Sequence, residues 1–232
     1  MTFSRRDILK TGFLVGANCC MEQLAPADDG ASVSGRVFHE AEHVLRNTRH
    51  TKYQHQQFID EATGTYDVDC SGFVSYVLSR VAKSHLALIP KETWWPVPRA
   101  YKYYRYFAEL PTDASNGWRK VERLGEARRG DIIAWELPGE ISKDHDTGHV
   151  FIVAETPSLI GDGLMAVRAF DSAALAHYDD TREDRNGVFH DGVGEGTFHL
   201  RVDTDGKPVE FQFGSGDRFH KDPISIGRVL PF

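Results

Sequence analysis

Apolar residues in the first half of the chain recur at helical spacing. Val37, Phe38, Ala41, Val44 and Leu45 share one face and predict an amphipathic helix. From Cys70 onward, Phe73, Val74, Val77, Leu78 and Val81 predict a second helix of about three turns. Asp69 stands where its N-cap belongs. Between the two, residues 46–68 are polar, carry Gly64 and few apolar anchors, and read as loop with room for a helical turn. The aromatic-rich stretch 93–110 places Tyr101, Tyr104 and Phe107 on one helical stripe.

Beyond Asn116-Gly117 the period changes. Short β-rich runs at 132–135, 149–154, 164–170, 197–202, 209–213 and 224–230 alternate with Gly, Pro, Asp and Asn. Helices first and strands afterwards predict an α+β domain with a mostly antiparallel sheet.

Composition bounds the reading. A chain of 232 residues, 41% hydrophobic and 11% aromatic, can bury one sizeable core, so a single domain is expected over 35–232. The net charge of -7 and the lack of a Lys/Arg stripe argue against a nucleic-acid binder. Ser4-Arg5-Arg6-Asp7-Ile8-Leu9-Lys10, an apolar stretch at 12–20 and Ala25-Pro26-Ala27 have the order of a cleavable leader, 1–27, followed by a polar linker, 28–34. The paired arginines resemble a twin-arginine export signal, which implies the twin-arginine machinery as a partner and a periplasmic or extracellular location. The apolar stretch is too short for a stable membrane anchor.

This leader changes the meaning of the cysteines. It holds Cys19 and Cys20, so Cys70 alone remains and has no intramolecular disulfide partner. Lipid modification of Cys19 is an alternative fate, although Gly16-Ala17-Asn18 before it fits that poorly. A thiol in the first turn of a helix has its pKa lowered by the unpaired N–H groups that point at it. Cys70 occupies that position, with Ser71 and Gly72 leaving the approach uncrowded and a first-turn N–H available to an oxyanion.

Thiolate chemistry needs a base. His149, after Gly148 and at the head of an apolar strand, is favoured over His145 in the polar loop before it. A third group should orient the imidazole, and Asp171, after the run at 165–170, reaches it if that run pairs antiparallel with the His149 strand. Ser172 and Asp162 remain alternatives.

Asp69-Cys70-Ser71-Gly72-Phe73-Val74, Arg129-Gly130-Asp131-Ile132-Ile133-Ala134-Trp135 and Gly148-His149-Val150, in that order, resemble the NlpC-type cell-wall cysteine peptidases. The resemblance, over about 53–171, implies a papain-like fold with N-terminal helices packed on the sheet. It also implies a Cys70, His149, Asp171 triad and hydrolysis of an amide bond in peptidoglycan stem peptides, with no metal or organic cofactor. The family's upstream Tyr, part of its oxyanion site and cleft, corresponds to Tyr53, without the Gly-Gly that follows it in the family.

Other features compete. His39-Glu40-Ala41-Glu42-His43 matches the zinc-protease pattern H-E-x-x-H, with Glu61 as a conceivable third ligand, yet these side chains fall off the apolar stripe. A non-catalytic cell-wall binding domain on the same scaffold is the rival from another class. Trp94 and Trp95 are candidates to border the cleft, Asp131 reads as structural at a strand-entry turn, and the acidic stretch 178–186 reads as solvated surface.

Overall fold

A computed structural model of the chain describes residues 32–143 and 145–232. The expected leader and most of the linker lie outside the described residues. Helix α1 (Val33–Asn47) opens the fold two residues earlier than the expected domain start, capped by Ser32, whose hydroxyl accepts from Gly35 N at 2.9 Å. Three short strands follow: β1 (His50–Lys52), β2 (Phe58–Asp60) and β3 (Thr65–Asp67). They form a small sheet in the order β1-β3-β2 where the sequence suggested only loop. Three-residue strands are too short to show an alternating pattern, which is why periodicity misses them.

Helix α2 (Cys70–Val81) has the expected bounds, and its Phe73, Val74, Val77 and Leu78 are buried. Each such side chain contributes roughly 1.5–3 kcal/mol. Then come α3 (Lys83–Leu86) and α4 (Ala100–Glu109). On α4 the inward stripe is Tyr103 and Phe107 rather than Tyr104, and the Tyr103 hydroxyl meets Ser75 Oγ of α2 at 2.7 Å.

The remaining strands are β4 (Trp118–Lys120), β5 (Ile132–Glu136), β6 (Gly148–Val153), β7 (Ser158–Gly161), β8 (Leu164–Ala173), β9 (Gly192–Val202), β10 (Pro208–Gln212) and β11 (Ile224–Val229). They form one sheet in the order β10-β9-β8-β6-β5-β11-β4, with β7 paired to β8, and neighbouring strands in it run antiparallel. The fold class is α+β, as the sequence predicts.

Both faces of the central strands are covered, which explains their unbroken apolar runs. Ile132, Ala134, Val150 and Ile152 face the helices, whereas Ile133, Trp135, Phe151, Val153, Val167, Phe198 and Phe211 face a second core. The second core exists because the sheet coils on itself. Trp135 of β5 stacks on Phe211 of β10 at 3.9 Å, although three strands separate them in sheet order.

Asp131 is structural, as expected. Fully buried at the entry to β5, it accepts from Arg228 Nε at 2.8 Å and Nη2 at 2.7 Å and from Arg128 N at 2.9 Å. Arg228→Met leaves that carboxylate buried without its cation and should lower stability by about 3–5 kcal/mol in urea unfolding. Adding Asp131→Asn should recover part of the loss; a double variant less stable than the single would contradict this account.

Candidate active site

The site forms where two neighbouring strands part. Strands β6 and β8 pair at Ile152↔Phe170 and Val153↔Ala169, and no further pair joins them toward His149 and Ala173. The N-terminus of α2 fills the opening. Ser172 Oγ donates to Val68 O at 2.7 Å and anchors this segment to β8. Gly148 fixes the start of β6: its φ is +129°, and a Cβ there would lie 2.0 Å from Trp135 O. Only glycine lets β6 start this close to β5.

Asp69 organises the helix start. Its Oδ1 accepts from Gly72 N at 2.6 Å and Ser71 Oγ at 2.9 Å, and its Oδ2 meets His55 Nδ1 at 2.9 Å. That hydrogen bond raises the His55 pKa. The Ser71 hydroxyl is thus engaged by Asp69, which leaves the backbone N–H as the group this residue can offer to the cleft. Phe73 N donates to Asp69 O, so Cys70 N and Ser71 N are the first-turn donors left without a protein acceptor among the described residues.

Cys70 is 4% exposed. Burial, then the Asp69 and Asp146 carboxylates, push its thiol well up, while a hydrogen bond from the Val150 backbone opposes them. The lowering expected from the helix N-terminus is outweighed, because desolvation penalises the thiolate more than the first turn favours it. Val150 directly follows His149, so the thiol lies at the segment that carries the imidazole.

His149 Nε2 lies 2.7 Å from Asp171 Oδ2. The pairing assumed from sequence thus brings them together, with Asp171 inside β8 rather than beyond its end. Ser172 is engaged with Val68, and Asp162 sits in the turn between β7 and β8. His145 is exposed, and its carbonyl accepts from Arg99.

Two more residues converge on Asp171. His177 Nε2 is 2.8 Å from the same Oδ2, and Arg182 Nη1 is 3.0 Å from Oδ1 at ion-pair distance. Burial opposes ionisation of Asp171, but Arg182 and the two imidazoles outweigh it and hold the carboxyl well below the usual range. The stretch 178–186 is therefore not wholly solvated surface: Asp180 and Arg182 are buried. Sequence reading missed His177, Asp180 and Arg182, although one signal was present. Gly194 and Gly196 alternate on β9, and a Cβ at either would lie 2.6 Å from the side chain of Arg182 or His177. Glycines at this period mark a strand face that something bulky crosses.

His149, Asp171 and His177 offer ligand atoms within 4.8 Å of one another. Their spacing is that of hydrogen-bonded groups, and the Arg182 guanidinium lies 3.0 Å from the other oxygen of the same carboxylate. His39, His43 and Glu61 do not converge among the described residues. Glu40 and Glu61 pair instead with Arg80 at 3.6 and 3.5 Å.

A cavity of about 180 Å³ opens on His149, lined by Tyr53, Leu137, Asp146, Leu175 and Phe213 among others. Burial, then Cys70 and Asp69, raise the Tyr53 phenol, which keeps it a donor. A wider groove of about 660 Å³ runs along His55, Gln57, Trp94, Trp95 and Lys143. The His55 ring lies 5.8 Å from that of Tyr53, in the lining of the first space, and 6.1 Å from that of Trp95, in the lining of the second.

The site thus holds a buried thiol, an imidazole hydrogen-bonded to a carboxylate, first-turn N–H groups without a protein acceptor among the described residues, and a cavity that opens on the imidazole. No family model matches the chain. It is 24% identical over 185 residues to Uncharacterized protein R653 of Acanthamoeba polyphaga mimivirus, covering 69% of this chain and 77% of that one. No solved structure matches.

The depressed Asp171 makes stability depend on pH. Its contribution is present above the unfolded carboxylate value of about 4 and is lost as pH falls through the folded value. The stability gap between the native protein and Asp171→Asn should be widest near neutrality and close in acid; a gap constant from about pH 7 to pH 3 would contradict the assigned Arg182 ion pair and imidazole hydrogen bonds.

Proposed function

We propose that the protein is a cysteine hydrolase of papain-like architecture that opens an amide or ester carbonyl through an acyl-enzyme. The observation that carries this reading is the buried His149–Asp171 pair on the strand whose next residue, Val150, acts through its backbone on the buried Cys70 thiol at the head of α2. An ionised carboxylate only accepts, so His149 Nε2 carries the proton and Nδ1 is left as the basic nitrogen.

Cys70 sulfur attacks the carbonyl carbon while its proton passes to His149 Nδ1. Because burial holds the thiol protonated, this transfer accompanies attack rather than preceding it. The tetrahedral oxyanion accepts from the free N–H groups of Cys70 and Ser71. Collapse expels the amine or alcohol, which takes the proton from His149, and leaves a thioester on Cys70. Water, deprotonated by the same imidazole, attacks the thioester and restores the thiol.

The resemblance to NlpC-type peptidases makes peptidoglycan stem peptides the proposed substrate, cut after export through the twin-arginine route. The cavity that opens on His149 suits the leaving group, because that imidazole must protonate it. A non-catalytic binding domain has no need of an oriented imidazole beside a buried thiol.

The test is to mix the protein lacking residues 1–27 with p-nitrophenyl acetate, and separately with purified sacculi. A nitrophenolate burst equal to the protein concentration, an acetyl group located on Cys70, and loss of both in Cys70→Ala are expected. His149→Ala should slow acylation roughly 10²- to 10⁴-fold. A defined amide product from sacculi supports the cell-wall substrate; a burst without any product would remove that substrate and keep the chemistry. No acylation of Cys70 would sink the hydrolase reading.

A further inference from the structure

We infer that His177 and Arg182 are positioning residues, which clamp Asp171 so that it fixes the tautomer of His149 and receives the charge formed there. The inference rests on the hydrolase reading for its catalytic consequence, but its geometry stands independently.

Asp171 Oδ2 accepts from both His149 and His177, so each imidazole must present Nε2–H to it. Oδ1 faces Arg182 Nη1. With one oxygen facing two rings and the other a guanidinium, the carboxylate cannot rotate away from His149 without breaking other contacts. Arg182 is itself immobilised: Nε and Nη2 bind the two oxygens of Asp180 at 2.8 and 2.9 Å, and Nη1 donates to Gly192 O at 2.9 Å. Asp180 also accepts from His177 N at 2.8 Å and Arg182 N at 2.9 Å, which closes the unit.

The charge count separates this from a mere staple. Asp171 and Asp180 are two buried anions, and Arg182 is their single permanent cation. With both imidazoles neutral, the cluster carries one surplus negative charge out of water, a costly arrangement for a device whose only task is to hold a loop. The surplus is neutralised when His149 takes the thiol proton. His177 is not suited to that proton. Its Nδ1 is buried without a hydrogen-bond partner, and its ring lies 4.1 Å from Phe198 and 5.9 Å from Phe213, so protonation would strand an N–H among aromatic rings.

The test combines ¹⁵N-histidine NMR with the p-nitrophenyl acetate burst, on the chain from residue 28 onward. In the unmodified protein, His149 and His177 should both appear as neutral Nε2–H tautomers. His177→Phe should leave His149 with mixed tautomers and slow the burst about 10- to 100-fold, the range over which outer partners of functional histidines act. His177→Gln, which keeps an N–H at the far end, should recover most of that loss. Wild-type rate and an unchanged His149 tautomer in a folded His177→Phe would overturn the inference. So would an Nδ1–H tautomer of either histidine in the unmodified protein, a result that needs no variant to fold. If the tautomers are as stated but no burst occurs, the hydrolase reading fails and the clamp remains.

Discussion

A carboxylate with no exposure at all, Asp171 on β8, is the charge around which the site is arranged. Left alone it would protonate or draw in water, so the fold must supply donors from elsewhere. They come from two parts of the chain: His149 from the neighbouring strand and His177 from the crossing that leads to β9, where Arg182 adds a cation at ion-pair distance. That crossing lies close to the sheet only because β9 has no side chains at 194 and 196. Missing side chains on one strand thereby determine the electrostatics of its neighbour.

The coiling of the sheet does comparable work for the imidazole. His149 points into the second core, among Trp135, Phe213 and Phe198 at 5.3 to 5.7 Å. Phe213 follows β10, three strands away in sheet order from β6, so a flat sheet would leave this wall of the imidazole open to water. Within the aromatic cage the ring has little freedom to swing, and the carboxylate then only has to select its tautomer.

Much of this was legible in the sequence where a long periodic pattern met a chemical residue. The α2 stripe located Cys70 and its Asp69 cap, and the apolar run after Gly148 located His149, because buried helices and strands announce themselves over several residues. Asp171 was reachable only by assuming antiparallel pairing of two predicted strands. The small β1-β3-β2 sheet, β4 and β7 were not legible, since strands of three or four residues carry no period. Nor was the burial of Asp180 and Arg182. A run of charges looks the same whether it faces water or is folded onto a complementary set, and what distinguishes the two lies on β9, about ten residues away.

The parting of β6 and β8 has a consequence for the thiol that burial alone hides. A strand that loses its neighbour leaves ladder N–H groups without carbonyl partners, and such a group is expensive out of water. At Val150 this N–H acts on the Cys70 sulfur and draws the thiol pKa down against burial. A thiol is a weak acceptor and a thiolate a strong one, so this donor is poorly satisfied in the resting protein and well satisfied once the proton leaves. The gap that admits the thiol therefore also favours its charged form. Burial and the Asp69 and Asp146 carboxylates still dominate at rest, which keeps Cys70 neutral. On the proposed hydrolase reading, such a site would stabilise a thiolate as it reacts, not store it.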